Sequence, residues 1–260
     1  MIIVATAGWS IPKSSAGAFA GEGTHLQRYA RVFRGVEIDT SFYRDHSAAT
    51  YAHWAKQTPR NFRFAVKLPR LITHDQRLRA ARRPLERFLV EVAGLGRRLG
   101  PLIVQLPPSL TFEQSVVRRF FVLLRERYDG TVVCEPRHAS WFEAPAQAML
   151  ERYKVVRAAA DPAVVPAAAL PGGWSGAVYY RLHGTPRKYW SIYTPDKVTA
   201  WAQALKTLPR RTAVWCVFDN TAAGGATGNA LQMRELTAGP AAHRRMARHA
   251  TSQPTPASRR

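Results

Sequence analysis

The stretch that most constrains the fold is Ala213 to Leu231, AVWCVFDNTAAGGATGNAL. Val214 to Phe218 form an unbroken apolar run, as expected of a parallel strand covered on both faces. Asp219 and Asn220 follow where that strand must end. Gly224, Gly225 and Gly228 then let the backbone turn tightly into a helix. Seven further short apolar runs end in polar residues, and the spacing predicts strands near 2–7, 36–39, 62–67, 102–106, 131–135, 155–159, 177–183 and 213–218. Most are separated by helical patterns. Thr24 precedes Leu26, Tyr29, Ala30 and Phe33. Ser47 precedes Tyr51, Trp54 and Ala55. Thr111, read as a cap, precedes Val116, Val117, Phe120, Phe121 and Leu124, while Pro195 opens a helix with Val198, Trp201 and Leu205. Pro162 to Gly176 reads as a loop in place of a helix. Eight strands alternating with helices predict an α/β chain, a (β/α)8 TIM-like barrel forming one domain over residues 1–238. Residues 239–260 carry Arg244, Arg245, Arg248, Arg259 and Arg260 without an acid or an apolar period, and are expected to be a disordered basic tail.

The formal net charge is +21, from 38 Lys and Arg against 17 Asp and Glu. An excess of this size points to a phosphate-bearing or nucleic-acid partner, unless it reflects an Arg-rich composition that is simply solvated. Cys134 and Cys216 lie inside apolar runs and read as buried hydrophobes in a reducing compartment. The start MIIVATAGW has no signal-peptide pattern, and no run reaches the roughly 18 apolar residues of a membrane span. A soluble, cytoplasmic protein with no membrane partner is expected. There is no Walker loop, nucleophile elbow, CxxC pair or dinucleotide fingerprint, so the sequence identifies no cofactor.

Parallel-barrel geometry brings the carboxyl ends of all the strands to one mouth. The residues delivered there include Glu37, Glu135, His183 and Asp219, which are candidates for acid–base or nucleophilic work. Trp9, Asp39, Tyr43, Lys67, His74, Gln105, Arg137, His138, Arg181 and Asn220 are candidates for binding a ligand. Cations would hold an anion, Arg181 through its planar fork, while Trp141 and Tyr189 add nearby stacking surfaces. The alternative for each charged residue is an ion pair that ties strand ends together. Glu135, Asp161, His183 and Asp219 could also be read as ligands of a divalent metal that activates water, although Lys67, Arg137 and Arg181 would repel a cation; no metal site is assigned.

Seven blocks in order then resemble the DUF72 (YecE-like) family: AGWS ending at Ser10, VEIDTSFYR at Val36 to Arg44, FRFAVKLPRLITH at Phe62 to His74, LIVQLPPS at Leu102 to Ser109, CEPRHASWF at Cys134 to Phe142, YYRLHG at Tyr179 to Gly184, and FDNTAAGGATGNAL at Phe218 to Leu231. The resemblance implies a TIM-barrel-like fold. It implies no established activity; relatedness to sugar-isomerase-like and endonuclease-IV-like barrels and nucleic-acid binding are its suggested directions. Two positions where the family often has an amide are acids here, Asp39 and Asp219. Two functions are therefore expected as competitors. One is a protein that binds a phosphate-bearing ligand or nucleic acid at an anion-accepting mouth. The other is a small-molecule enzyme, a sugar-phosphate isomerase or a metal-assisted, endonuclease-IV-like phosphodiesterase.

Overall fold

The structure is a computed structural model that describes residues 2–209 and 211–238. Its strands are β1 (Ile2–Thr6), β2 (Gly35–Ile38), β3 (Arg63–Lys67), β4 (Leu99–Gln105), β5 (Val132–Glu135), β6 (Val155–Arg157), β7 (Ala159–Asp161), β8 (Gly172–Gly173), β9 (Ala177–Leu182) and β10 (Ala213–Phe218). The helices are α1 (His25–Val32), α2 (Ala48–Lys56), α3 (Arg82–Val92), α4 (Gln114–Arg125), α5 (Ala144–Arg152), α6 (Pro195–Lys206) and α7 (Gly225–Thr237). Local chemistry explains several starts. Thr24 and Gln27 form a reciprocal capping box at α1. Ser47 accepts from the Thr50 amide at α2, and Pro195 occupies the first turn of α6, where its missing N–H costs nothing. Thr111 does not cap α4. The Phe112 amide donates to Ser140 Oγ at 2.8 Å, which ties this segment to the next loop, and the helix starts only at Gln114 with Glu113 at its cap position.

Strands β1, β10, β9 and β7 form one parallel sheet. Strands β2 to β6 form a second, also parallel, with β8 antiparallel at its edge. Backbone pairing thus falls into two sheets rather than one continuous ring of eight. The two approach at both seams. Ala7 makes an isolated parallel bridge to Glu37. The predicted sixth strand splits at Ala158: its first half pairs with β5, its second half with β9. Pro162 to Gly176 contains a short helical turn at Pro166–Ala169 and the two-residue β8.

Side chains alternate along each strand, as a period of two requires. Val178, Tyr180 and Leu182 of β9 pack outward into the large core beneath the helices, together with Phe64, Phe88, Phe120 and Phe121. Ala177 and Tyr179 turn the other way, into a smaller cluster with Ile3, Ala5, Ala65, Ile103, Val133, Val156, Trp215 and Val217. Both sheets supply that inner cluster, so the same alternation that fills it also sends polar residues inward one step further along the strands. The amino end of this interior is tight: a Cβ on Gly35 would stand 2.5 Å from Ile3 Cγ2 and 2.9 Å from the Trp215 ring. Among the described residues no helix is long and apolar enough to cross a membrane. The expected tail at 239–260 lies outside the described residues.

Candidate functional site

Beyond the inner apolar cluster, at the carboxyl ends of the strands, the interior becomes charged. Arg181, two residues after Tyr179 on β9, is fully buried. Its Nε donates to both oxygens of Glu37 at 3.1 Å, and Nη2 also bonds Glu37 at short range. Nη1 donates to Gln105 Oε1 at 3.0 Å and, at short range, to Glu135. Asp39 Oδ1 and Asp219 Oδ2 approach Nη2 to 3.4 and 3.5 Å. Burial alone would weaken the hold of this guanidinium on its proton, but Glu37, Glu135, Asp39 and Asp219 drive its pKa well above the ordinary value. Glu37 is completed by the Tyr179 hydroxyl at 2.6 Å.

His183 lies one alternation further along. Nδ1 is 2.8 Å from Asp219 Oδ2 and Nε2 is 2.9 Å from Glu135 Oε1. Ionised carboxylates only accept, so each contact requires a proton in it. Glu135 is held well below the usual carboxylate range: burial would raise it, but Arg137, Arg181 and His183 together outweigh burial. Asp219 is likewise lowered against its burial, by His183, Arg181 and Lys67. Asp39 goes the other way. Burial and the neighbouring charges of Glu37 and Asp219 push it well above the usual range, despite Lys67 and Arg181. Among these acids Glu135 and Asp219 are held down while Asp39, whose side chain is 24% exposed, is pushed up.

A second layer of cations stands outside this core. Lys67 Nζ is 3.8 Å from Asp39 and 4.2 Å from the centre of the Phe42 ring. Arg137 donates through Nε to Glu135 Oε1 at 3.1 Å. Its Nη2 lies 3.0 Å from the same oxygen, yet this nitrogen is buried and has no properly aligned acceptor. Lys188 is half-buried, and burial together with the Arg137 and Arg181 charges brings its pKa down to about 8 against the opposing pull of Glu135 and Asp219. His74 falls to about 4 through burial and the charges of Lys67, Arg70 and Arg137. Both shifts come first from burial and then from neighbouring cations, Arg137 acting on each.

Glu37, Asp39, Lys67, Gln105, Glu135, Arg137, Arg181, His183 and Asp219 thus meet, and His74 faces the same cations. Other sequence candidates do not join them. His138 Nδ1 bonds Ser140 and caps the short turn at Ala139–Phe142. Trp141 is buried and donates to the Leu110 carbonyl at 2.8 Å, so it offers no stacking face. Asn220 is buried and donates to the Ser191 carbonyl and to Asn229, fastening the loop after β9 to α7. Trp9 stacks edge-on against Trp54 with ring centres 5.1 Å apart, and Tyr43 is 77% exposed. Asp161 serves a separate group, bonding Thr185, Tyr193 and Lys197. With Asp161 elsewhere and Arg181 filling the space among Glu37, Glu135 and Asp219, the donors do not fit a metal; among the described residues no group of three or more His, Cys, Asp and Glu converges as a metal site.

Arg181 itself is a correction: its fork is filled by the protein's own carboxylates and has no donor pair to offer an anion. Tyr179 and Lys188 were missed. The first had a signal, since it shares the inward face of β9 with Arg181. Lys188 lies in an irregular loop where no periodicity marks it. Gly184 shapes that loop; it has φ +94°, and a Cβ there would meet the Ser191 carbonyl at 2.8 Å.

Comparison with known proteins places this architecture. The family described as "Protein of unknown function DUF72" matches residues 3–256. The UPF0759 protein YunF of Bacillus subtilis is 23% identical over 91% of this chain and 94% of its own length. The UPF0759 protein YecE of Escherichia coli is 34% identical over 42% of this chain and 39% of its own length. A DUF72 crystal structure from Enterococcus faecalis superposes with a TM-score of 0.76 at 21% identity, covering 91% of this chain and 95% of that one. One from Thermotoga maritima gives 0.75 at 24% identity, covering 91% and 98%. The chain belongs to the DUF72 family.

Proposed function

We propose that this member of the DUF72 family closes its two sheets into a single (β/α)8 barrel over residues 1–238, and that the carboxyl-end mouth binds a phosphate-bearing small molecule, a sugar phosphate or nucleotide. Arg137, Lys67 and Lys188 receive the anion, and His74 borders it. The single observation that carries this reading is Arg137 Nη2, a buried donor that stands 3.0 Å from Glu135 without an aligned hydrogen bond, on a guanidinium that also faces the Tyr189 hydroxyl. A buried donor whose hydrogen bond is unmade is costly, and a phosphate oxygen is an acceptor that suits a guanidinium edge. Arg181 takes up most of the inner acids' oxygens, which leaves Arg137 tied to this core through Glu135 and Lys67 through Asp39.

A second reading, an acid–base enzyme acting on that ligand, is favoured by one feature. Asp39 is pushed well above the usual carboxylate range, stands partly exposed, and contacts Arg181, which also reaches the Asp219 that bonds His183. A carboxyl raised in this way near the mouth is a suitable proton donor for isomerisation or hydrolysis.

Calorimetric titration of the protein with inorganic phosphate, a hexose phosphate and a nucleoside monophosphate tests the binding claim. Arg137→Ala should weaken whichever binds by about 1.5–3 kcal/mol, the range for hydrogen bonds to charged groups. Absence of binding by all three, or binding indifferent to Arg137→Ala, contradicts the proposal.

A further inference from the structure

The opposite end of the strands carries a basic surface that the mouth does not explain. Parallel strands place every helix-to-strand connection at the amino end, and these connections carry Arg60 before β3, Arg97 and Arg98 before β4, and Lys154 before β6, with Arg152 in the last turn of α5. Arg60, Arg97, Arg152 and Lys154 are exposed, and none makes an ion pair with a carboxylate among the described residues. Helix C-termini also end on this face and carry about half a negative charge each. Arg98 donates to the Thr58 and Pro59 carbonyls, and Arg125 donates to the carbonyls of Tyr128, Gly130, Tyr153 and Lys154 at 2.7–3.1 Å, so both are committed to the connections that follow the helices. Arg152 lies in the last turn of α5, while Arg60 and Lys154 stand outside any helix.

The four exposed cations are also arranged. β3, β4, β5 and β6 are consecutive neighbours, so their amino ends span about 14 Å at the usual strand spacing. At the β6 end of this strip lies a cavity of about 420 Å³, lined by Arg125, Asp129, Arg152, Tyr153, Lys154 and Trp174. Trp174 is partly buried and packs against the inner apolar cluster. An aromatic wall beside two cations that pair with no carboxylate, Arg152 standing 5.8 Å from the centre of the Tyr153 ring, suits a base stacked in the cavity with its phosphates on Arg152 and Lys154. The cations continue past the cavity to Arg97 and Arg60, which a mononucleotide could not reach. A concave seat lined by rings takes a splayed base, not a stacked pair.

We propose that the amino-end face binds single-stranded nucleic acid, with one base in the cavity beside Trp174 and the backbone running along Lys154, Arg152, Arg97 and Arg60. This is independent of the mouth reading.

The test uses the full chain and a fluorescein-labelled 12-mer of single-stranded DNA, measured by anisotropy at two salt concentrations. The double substitution R152E/K154E should weaken binding at least tenfold and make affinity fall less steeply with salt, because fewer counterions are released. The milder R152Q/K154Q should lose about threefold. R118E/R119E makes the same charge change on the exposed outer face of α4 and should cost no more than about twofold, the loss expected of distant screened charge. A melting curve for each variant confirms that it is folded. Equal weakening by the two charge-reversal pairs would show that only net charge or the basic terminus matters, and would overturn the proposal. So would preference for a duplex, binding confined to a free mononucleotide, or binding to anionic vesicles but not to the oligonucleotide. Phosphate binding lost in Arg137→Ala but kept in R152E/K154E would separate this face from the mouth.

Discussion

Arg181→Met removes the buried cation that contacts Glu37, Asp39, Glu135 and Asp219 while keeping much of the buried volume. The structure fixes what is left behind. Glu135 keeps Arg137 and His183, at 3.1 and 2.9 Å. Glu37 keeps only the Tyr179 hydroxyl. A fully buried carboxylate without its counter-charge costs about 3–5 kcal/mol, the penalty for breaking one side of a buried pair. At roughly 2–4 °C per kcal/mol for a domain of this size, the melting point should drop by about 6–20 °C. The assay is thermal or urea unfolding of Arg181→Met, together with Glu37→Gln and the double variant. Removing the orphaned charge should restore part of the stability, which gives a favourable coupling in the cycle. A loss under about 1 kcal/mol, or a double variant as unstable as the sum of the singles, would refute the reasoning.

Three further outcomes are expected. His74, depressed to about 4, stays neutral in the fold while its unfolded counterpart protonates below about 6.5, so the stability it contributes is present above that pH and lost as pH falls towards 4; His74→Gln should flatten this part of the stability–pH curve, and an unchanged curve would contradict the placement. Phosphate affinity should decline as pH rises through about 8, where Lys188 loses its proton, and Lys188→Met should remove that decline; calorimetry across pH 7 to 9 reads it. Gly35→Ala should overpack the interior against Ile3 and Trp215 and cost about 1–3 kcal/mol in a urea melt, while a neutral result would show that the amino end of the interior can relax.

Much of the fold is legible in the sequence because the strands are covered on both faces, which writes each as a short apolar run. Trp215 and Val217 turn inward while Val214, Cys216 and Phe218 face the helices, so one run satisfies two cores. The site is legible by position for the same reason, since residues that end such runs share one end of the interior. Partnership is not. Gln105 and Arg181 are 76 residues apart, and their hydrogen bond depends on how strands of different sheets face one another. The sequence reading therefore gave Arg181 an anion and left Arg137 one donor among several, where the structure fills the first and leaves the second short of an acceptor. His138 and Trp141 misled for a local reason: both follow a strand end, but the chain folds back there and uses them to build its turn. The seam at Ala158 was equally invisible, because Val155–Arg157 and Ala159–Asp161 read as one strand although they pair in different sheets.

The division between a committed inner arginine and a receptive outer one is most directly tested by nitrogen NMR of the arginine side chains during a titration with inorganic phosphate. The Arg137 Nε resonance, assigned by its loss in Arg137→Lys, should move and saturate, while that of Arg181 stays fixed. Movement of Arg181 without Arg137, or no saturable change in either, would contradict this division.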